Sequence, residues 1–237
     1  MLMIEWVPVK EDSYIFRVVH RIMEGDCQCE HGPLPVTIRP MAAMKYAVTN
    51  AQYYDFVKAS GYEPEDKAGY LKHWENGKYK EGEEDLPVVN ISIFDAKAYA
   101  DYYGWRLPTD CEWQYLAAGH EKLLWPWGNE KEYKRCNVYG TALEPVNSHP
   151  DGVSPLGCYN MCGNCWEMVG DVITDTAHCT YGHHDFILLR GGSYYTASHY
   201  WHTEGGAVRN DFHLKMHLLG GAMNRNETVG FRCVRDL

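Results

Sequence analysis

Hydrophobic and polar positions alternate with a period of two near both ends of this chain and follow a helical period between them. Ile187-Leu188-Leu189-Arg190-Gly191-Gly192-Ser193 runs apolar residues into a double glycine. Val229-Gly230-Phe231-Arg232-Cys233-Val234-Arg235-Asp236 sets Val229, Phe231 and Cys233 on one face. Both stretches predict strands. Tyr14-Ile15-Phe16-Arg17-Val18-Val19 and Leu34-Pro35-Val36-Thr37-Ile38-Arg39 are rich in β-formers and predict two earlier strands, joined by a loop over Glu24–Gly32. Residues 211–218 carry His213 and His217 four apart, a spacing that would put both on one face of a helix.

Three helix starts stand between these strands. Thr49-Asn50-Ala51-Gln52 has the capping-box form, in which the first side chain and the fourth satisfy each other's backbone N–H. Tyr53, Phe56 and Val57 then share a face, and Gly61 supplies the stop. Ser92-Ile93-Phe94-Asp95 is a looser box ahead of Ala96–Tyr103 and Gly104. Thr109-Asp110-Cys111-Glu112 repeats it, with Trp113, Leu116 and Ala117 inward and Gly119 as the end. Asn76–Asp85 is Gly-, Lys- and Glu-rich and predicts an exposed loop, and beyond Gly119 no long helix is predicted. Helices early and strands with turns later predict an α+β domain over 1–237, with no linker and no internal repeat.

Composition narrows the function classes. The chain has 237 residues, 45% hydrophobic and 23% charged, which is ordinary for a globular protein with one sizeable core. A net charge of −10 at pH 7, with no basic run longer than two residues, excludes a phosphate-backbone partner. No apolar run approaches the roughly 18 residues of a membrane span, and no basic-then-apolar leader opens the sequence. We therefore expect a cytoplasmic protein, or the mature form of a secreted one. Nine cysteines are an odd number and are read as mostly reduced, buried thiols. The 18 Tyr and 8 Trp suit recognition of a sugar, a peptide or a small molecule, because each offers an apolar face and a polar tip.

The densest chemistry lies between the last two predicted strands. Tyr194, Tyr195, His199, Tyr200, Trp201, His202, Glu204, Arg209, Phe212, His213 and His217 would form an aromatic platform with polar edges, the expected ligand-binding surface. His199-x2-His202 and His213-x3-His217, near Glu204 and Asp211, also admit a non-haem iron site. Cys27, Cys29 and His31 are metal-binding types without a fourth ligand, and Cys158-x3-Cys162-x2-Cys165 has spacing that suits zinc or an iron–sulfur cluster.

Seven ordered blocks give the chain a family resemblance. They are Val48–Tyr53, Leu86–Ser92, Arg106–Tyr115, Trp125–Asn129, Tyr159–Glu167, Leu189–Ser193 and Gly230–Val234. Together they resemble the formylglycine-generating enzyme, or sulfatase-modifying-factor, family. The resemblance implies a C-type-lectin-like α+β fold with little regular secondary structure. It implies a calcium loop with oxygen ligands from Asn160, Gly163, Cys165 (backbone carbonyl) and Glu167, and it makes Cys158, Cys162 and Cys165 buried structural thiols. The family's oxidases hold copper with two cysteines shortly after the Gly-Gly-Ser block. Those positions are Thr196 and Trp201 here, and neither offers the soft thiolate that Cu(I) needs.

The expectation is a family member without copper, a ligand-binding or accessory domain with its pocket in the 194–217 segment and structural calcium at 160–167. One alternative is an iron-dependent oxidoreductase using the histidines. Another is a variable ligand-binding protein of a diversity-generating retroelement, which uses the same fold.

Overall fold

The computed structural model describes residues 2–22, 28–174, 185–195, 206–219 and 224–237. Near the chain's beginning β1 (Trp6–Val9), β2 (Asp12–Ile22), β3 (Gln28–Ile38) and β4 (Met41–Met44) follow one another. Then come α1 (Asn50–Ser60), α2 (Ile93–Tyr102) and α3 (Asp110–Ala118). The remainder holds β5 (Trp166–Thr174), β6 (Asp185–Arg190), β7 (Gly192–Ser193), β8 (Gly206–Ala207), β9 (Phe212–His217), β10 (Val229–Phe231) and β11 (Val234–Asp236).

Each helix begins where its box predicts. Thr49 Oγ1 accepts from Gln52 N–H while Gln52 Oε1 accepts from Thr49 N–H, and Ser92 with Asp95 and Thr109 with Glu112 repeat the exchange. α1 ends on Gly61 in the left-handed region, φ 66°, where a side chain would be strained. None of the described helices is long and apolar enough to cross a membrane.

A six-stranded sheet, in the order β10-β5-β6-β9-β2-β3, organises the molecule. Alternation along β6 and β9 divides its faces. Ile187, Leu189, Leu214 and Met216 face the core shared with Tyr53, Phe56 and Tyr99 of α1 and α2. Leu188, with Val169 and Tyr14, faces Trp113, Leu116 and Ala117 of α3. Burying a side chain of this size stabilises by about 1.5–3 kcal/mol, so both faces are held in register by their apolar residues.

Two expectations need correction, and the helical condition raised for 211–218 is not met. That segment is strand: β9 pairs antiparallel with β6 and parallel with β2, and those ladders override the helical spacing of its histidines. The loop at Glu24–Gly32 is shorter than read, because β3 starts at Gln28 and pairs His31 with Val18 and Glu30 with Val19. The closing stretch is two strands in two sheets. β10 runs parallel to β5, and β11 pairs with β4 in the small sheet β1-β4-β11. The chain changes sheet at Arg232, whose guanidinium donates to Glu167 and to the carbonyls of Met44, Lys45 and Tyr159.

Candidate ligand pocket

α3 rests on the sheet with its N-terminus above β5, β6 and β9, and the residues at that end are charged. Asp110, first in the helix, accepts from Arg190 Nε of β6 at 2.5 Å and pairs with His213 Nδ1 of β9 at 2.7 Å. Arg190 is fully buried and also donates to the carbonyls of Asn210 and Phe212 at 3.0 and 2.9 Å. Asp171 of β5 accepts from the Asp110 N–H, one of the helix's unpaired donors. Asp110, Arg190 and His213 thus satisfy one another within a buried network, as burial requires.

Burial alone would raise Asp110. The charge of Arg190, then that of His213, and their hydrogen bonds outweigh it and hold the carboxyl far below its usual range. Burial lowers His213, against the pull of Asp110. Burial raises the acid of Asp171 and the thiol of Cys111.

A cavity of about 670 Å³ opens beside this network. Phe16, Val18, Val36, Ile173 and Leu188 form its apolar walls, and Asp110, Asp171, His213 and Lys215 bring polar groups to it. Its size falls within the range of small-molecule sites, roughly 300–1,000 Å³. Thr109, Cys111 and Asp171 also line a neighbouring groove of about 1000 Å³, which carries Arg39, Lys97, Arg106, Glu112 and Asp236.

The expected ligand residues fall in several places. His213 lines the 670 Å³ pocket. His217 lies on the same strand face but is buried against Phe186, with ring centroids 4.5 Å apart. Arg209 lines a separate cavity of about 300 Å³ beside Tyr14, Gln114 and Asn210, and its guanidinium pairs with Asp211. Tyr194 is half-buried and Tyr195 exposed. His199, Trp201, His202 and Glu204, with Thr196, lie outside the described residues, as do Cys27 and Tyr200. His31 lines the pocket wall. Among the described residues no three His, Cys, Asp or Glu side chains are grouped to hold a metal ion.

Sequence reasoning missed Asp110, Arg190, Asp171 and Lys215. One signal was available: His213, Lys215 and His217 recur at every second position, the period of a strand face.

The expected calcium ligands are held mainly by protein groups. Both Glu167 oxygens accept from Arg232, at 2.6 and 2.7 Å, and Oε2 also accepts from Trp113 Nε1. Gly163 N–H donates to Gly191 O, and Cys165 is buried. Asn160 sits at φ 51° and donates Nδ2 to Val146 O, whereas its Oδ1 is buried with no donor among the described residues. An orphaned acceptor fits a cation; a carboxylate already neutralised by Arg232 fits it poorly.

Helices on both faces of a large mixed sheet, with the chain's two ends paired through β4, define a C-type-lectin-like domain of the formylglycine-generating-enzyme type. The crystal structure of CarF shares this fold at a TM-score of 0.66 and 18% identity, covering 100% of both chains. The description "Sulfatase-modifying factor enzyme 1-like domain" matches residues 20–237, and the chain belongs to that family. It is 29% identical to the formylglycine-generating enzyme of Thermomonospora curvata, over 90% of this chain and 88% of that protein. It is also 26% identical to the inactive C-alpha-formylglycine-generating enzyme 2 of Mus musculus, over 84% of this chain and 76% of that protein. A relative named as the enzyme and one named inactive thus stand at similar identity, so the residues of the site must decide function.

Proposed function

We propose that this chain is a ligand-binding member of the sulfatase-modifying-factor family that takes a small molecule in the 670 Å³ pocket beside α3. The observation that carries this reading is the meeting of Asp110, Asp171, His213 and Lys215 with five apolar wall residues around one cavity. Such a cavity suits a compact ligand with an apolar body and a head bearing both acidic and basic groups. Two residues of the 194–217 range, His213 and Lys215, line this cavity and support the reading.

Filling the cavity tests this without stranding a charge. Ile173 is half-buried on the pocket wall, so Ile173→Trp occupies space and leaves the Asp110 network intact. A ligand-observed NMR screen of zwitterionic metabolites is expected to give binders to the wild type that Ile173→Trp loses, with little change in melting. Binders that the variant retains, or none for the wild type, overturn the proposal.

We also propose that the chain does not form formylglycine by the copper route. The support is Thr196 and Trp201 at the two positions where the family's oxidases carry cysteine. With copper and a cysteine-containing sulfatase peptide, no aldehyde product is expected by mass spectrometry. Copper-dependent turnover would falsify this.

A further inference from the structure

Two cysteines outside the pocket, Cys136 and Cys162, share one small buried cluster. Residues 136–138 and 162–164 run side by side, clamped by Asn164 N–H donating to Asn137 O at 2.8 Å and Asn137 Nδ2 donating to Asn164 Oδ1 at 3.1 Å. The approach is so close that a Cβ on Gly163 would lie 2.6 Å from the Asn137 carbonyl oxygen, and Gly163 itself has φ +79°. Only glycine meets both demands. This clamp brings Cys136 and Cys162 into one small buried cluster, where Cys136 Sγ donates to Tyr133 O at 3.6 Å and Cys162 Sγ to Val208 O at 3.7 Å. Trp125 and Val138 enclose the pair, with Trp127 and Ala207 packed behind. Cys158, Cys165 and Cys233 face other surroundings: the Glu167–Arg232 pair, Gly230 and Met44.

The same short loop reaches both ends of the segment 194–208. Gly163 N–H donates to Gly191 O, Asn164 O accepts from Tyr194 N–H, and Cys162 Sγ donates to Val208 O at 3.7 Å. Cys162 thus bonds the Val208 end directly, and Asn164, two residues on, bonds the Tyr194 end.

We propose that Cys136 and Cys162 form a dithiol that a peroxide closes to a disulfide, and that closure alters the backbone at residues 191–194 and 206–208. One thiolate attacks a peroxide oxygen, the O–O bond breaks, and the leaving hydroxide takes a proton to become water. The resulting sulfenic acid is attacked at sulfur by the second thiolate, which forms the S–S bond and releases a second water. Each sulfur gives up one electron and the peroxide gains two, so two thiols and one hydrogen peroxide give one disulfide and two waters. Closure removes the Cys162 proton that bonds the Val208 carbonyl. Burial first, and then the Cys136 contact, hold the Cys162 thiol protonated well above its ordinary range. The thiolate is the reacting species, so closure gains speed about tenfold per pH unit.

The test uses the whole reduced protein exposed to hydrogen peroxide at several pH values. Remaining thiols are capped with N-ethylmaleimide, and non-reduced peptides are mapped by mass spectrometry. The expected product is a peptide pair joined through Cys136 and Cys162, formed faster at higher pH and missing from Cys162→Ser. Recovery of both cysteines as capped thiols, as higher oxides, or joined to other cysteines overturns the pairing without relying on any variant. Hydrogen exchange reads the second half: amides at 191–194 and 206–208 are expected to change protection between reduced and oxidised protein. Unchanged protection there shows the disulfide to be a local staple and overturns the coupling.

Discussion

Glu167→Ala is expected to cost about 3–5 kcal/mol of stability, enough to unfold much of a domain of marginal stability. Glu167 and Arg232 are both buried to within 1% of full burial and are bound to each other through two short hydrogen bonds. Removing the carboxylate leaves a guanidinium charge with no counter-ion in the core and takes the acceptor from Trp113 Nε1. The desolvation cost then has nothing to offset it. Arg232 also fastens β10 and β11 to the Met44 and Tyr159 carbonyls, so the loss should spread across the join between the sheets. Chemical denaturation reads the effect, and a change under about 1 kcal/mol would mean that solvent reaches this pair.

The same experiment tests the calcium proposal for the 160–167 loop, which rests on Asn160 Oδ1 and its lack of a donor among the described residues. An ion bound only to the native state at a hundredfold excess over Kd raises stability by about 2.7 kcal/mol. Chelator should lower the wild-type melt and leave Asn160→Ala unmoved, while the Glu167→Ala loss persists in both conditions. A wild-type melt indifferent to chelator and to millimolar calcium would leave Arg232 as the cation that neutralises Glu167.

Asp110→Asn is expected to have the second large effect, again about 3–5 kcal/mol, because it keeps the side-chain shape and removes the charge opposite buried Arg190. Its pH dependence identifies the cause. Asp110 is held below its unfolded value of about 3.9, so it contributes fully above that pH and its contribution is lost as pH falls toward the folded value. The gap between wild type and Asp110→Asn should therefore be widest above about pH 4 and narrow below it. His213 is also lowered, so its contribution is present above about pH 6.5 and declines under acid in the wild type. A gap that stays constant down to pH 2 would show that Asp110 acts through shape rather than charge.

Near-neighbour signals were enough for the helices. Thr49, Ser92 and Thr109 each exchange hydrogen bonds with a residue three places on, and a bond of that span is visible in four letters of sequence. Ile187–Arg190 and Val229–Phe231 were legible as strands for the same reason, since alternation is local. The seven blocks made the lectin-like frame legible as well. Sequence alone could not say which sheet each strand would join. His213 and His217 carry a helix-compatible spacing, yet β9 is a strand because β6 and β2 supply ladders on both sides. The stretch closing the chain reads as one strand, yet it divides at Arg232 because Glu167, 65 residues away, holds the guanidinium there.

The pocket was still less visible. Asp110 lies 103 residues from His213 and 80 from Arg190, so neither pair has a local pattern. Cys136 and Cys162 likewise come into one cluster where Asn137 and Asn164, 27 residues apart, clamp two loops together. By itself the sequence determined where the helices begin, which faces are apolar and which family the frame follows, because hydrogen bonds and packing within a few residues write those features. The tertiary structure decided which charges share a cavity and which thiols share a cluster, because those depend on strand order and chain crossings that no short stretch encodes.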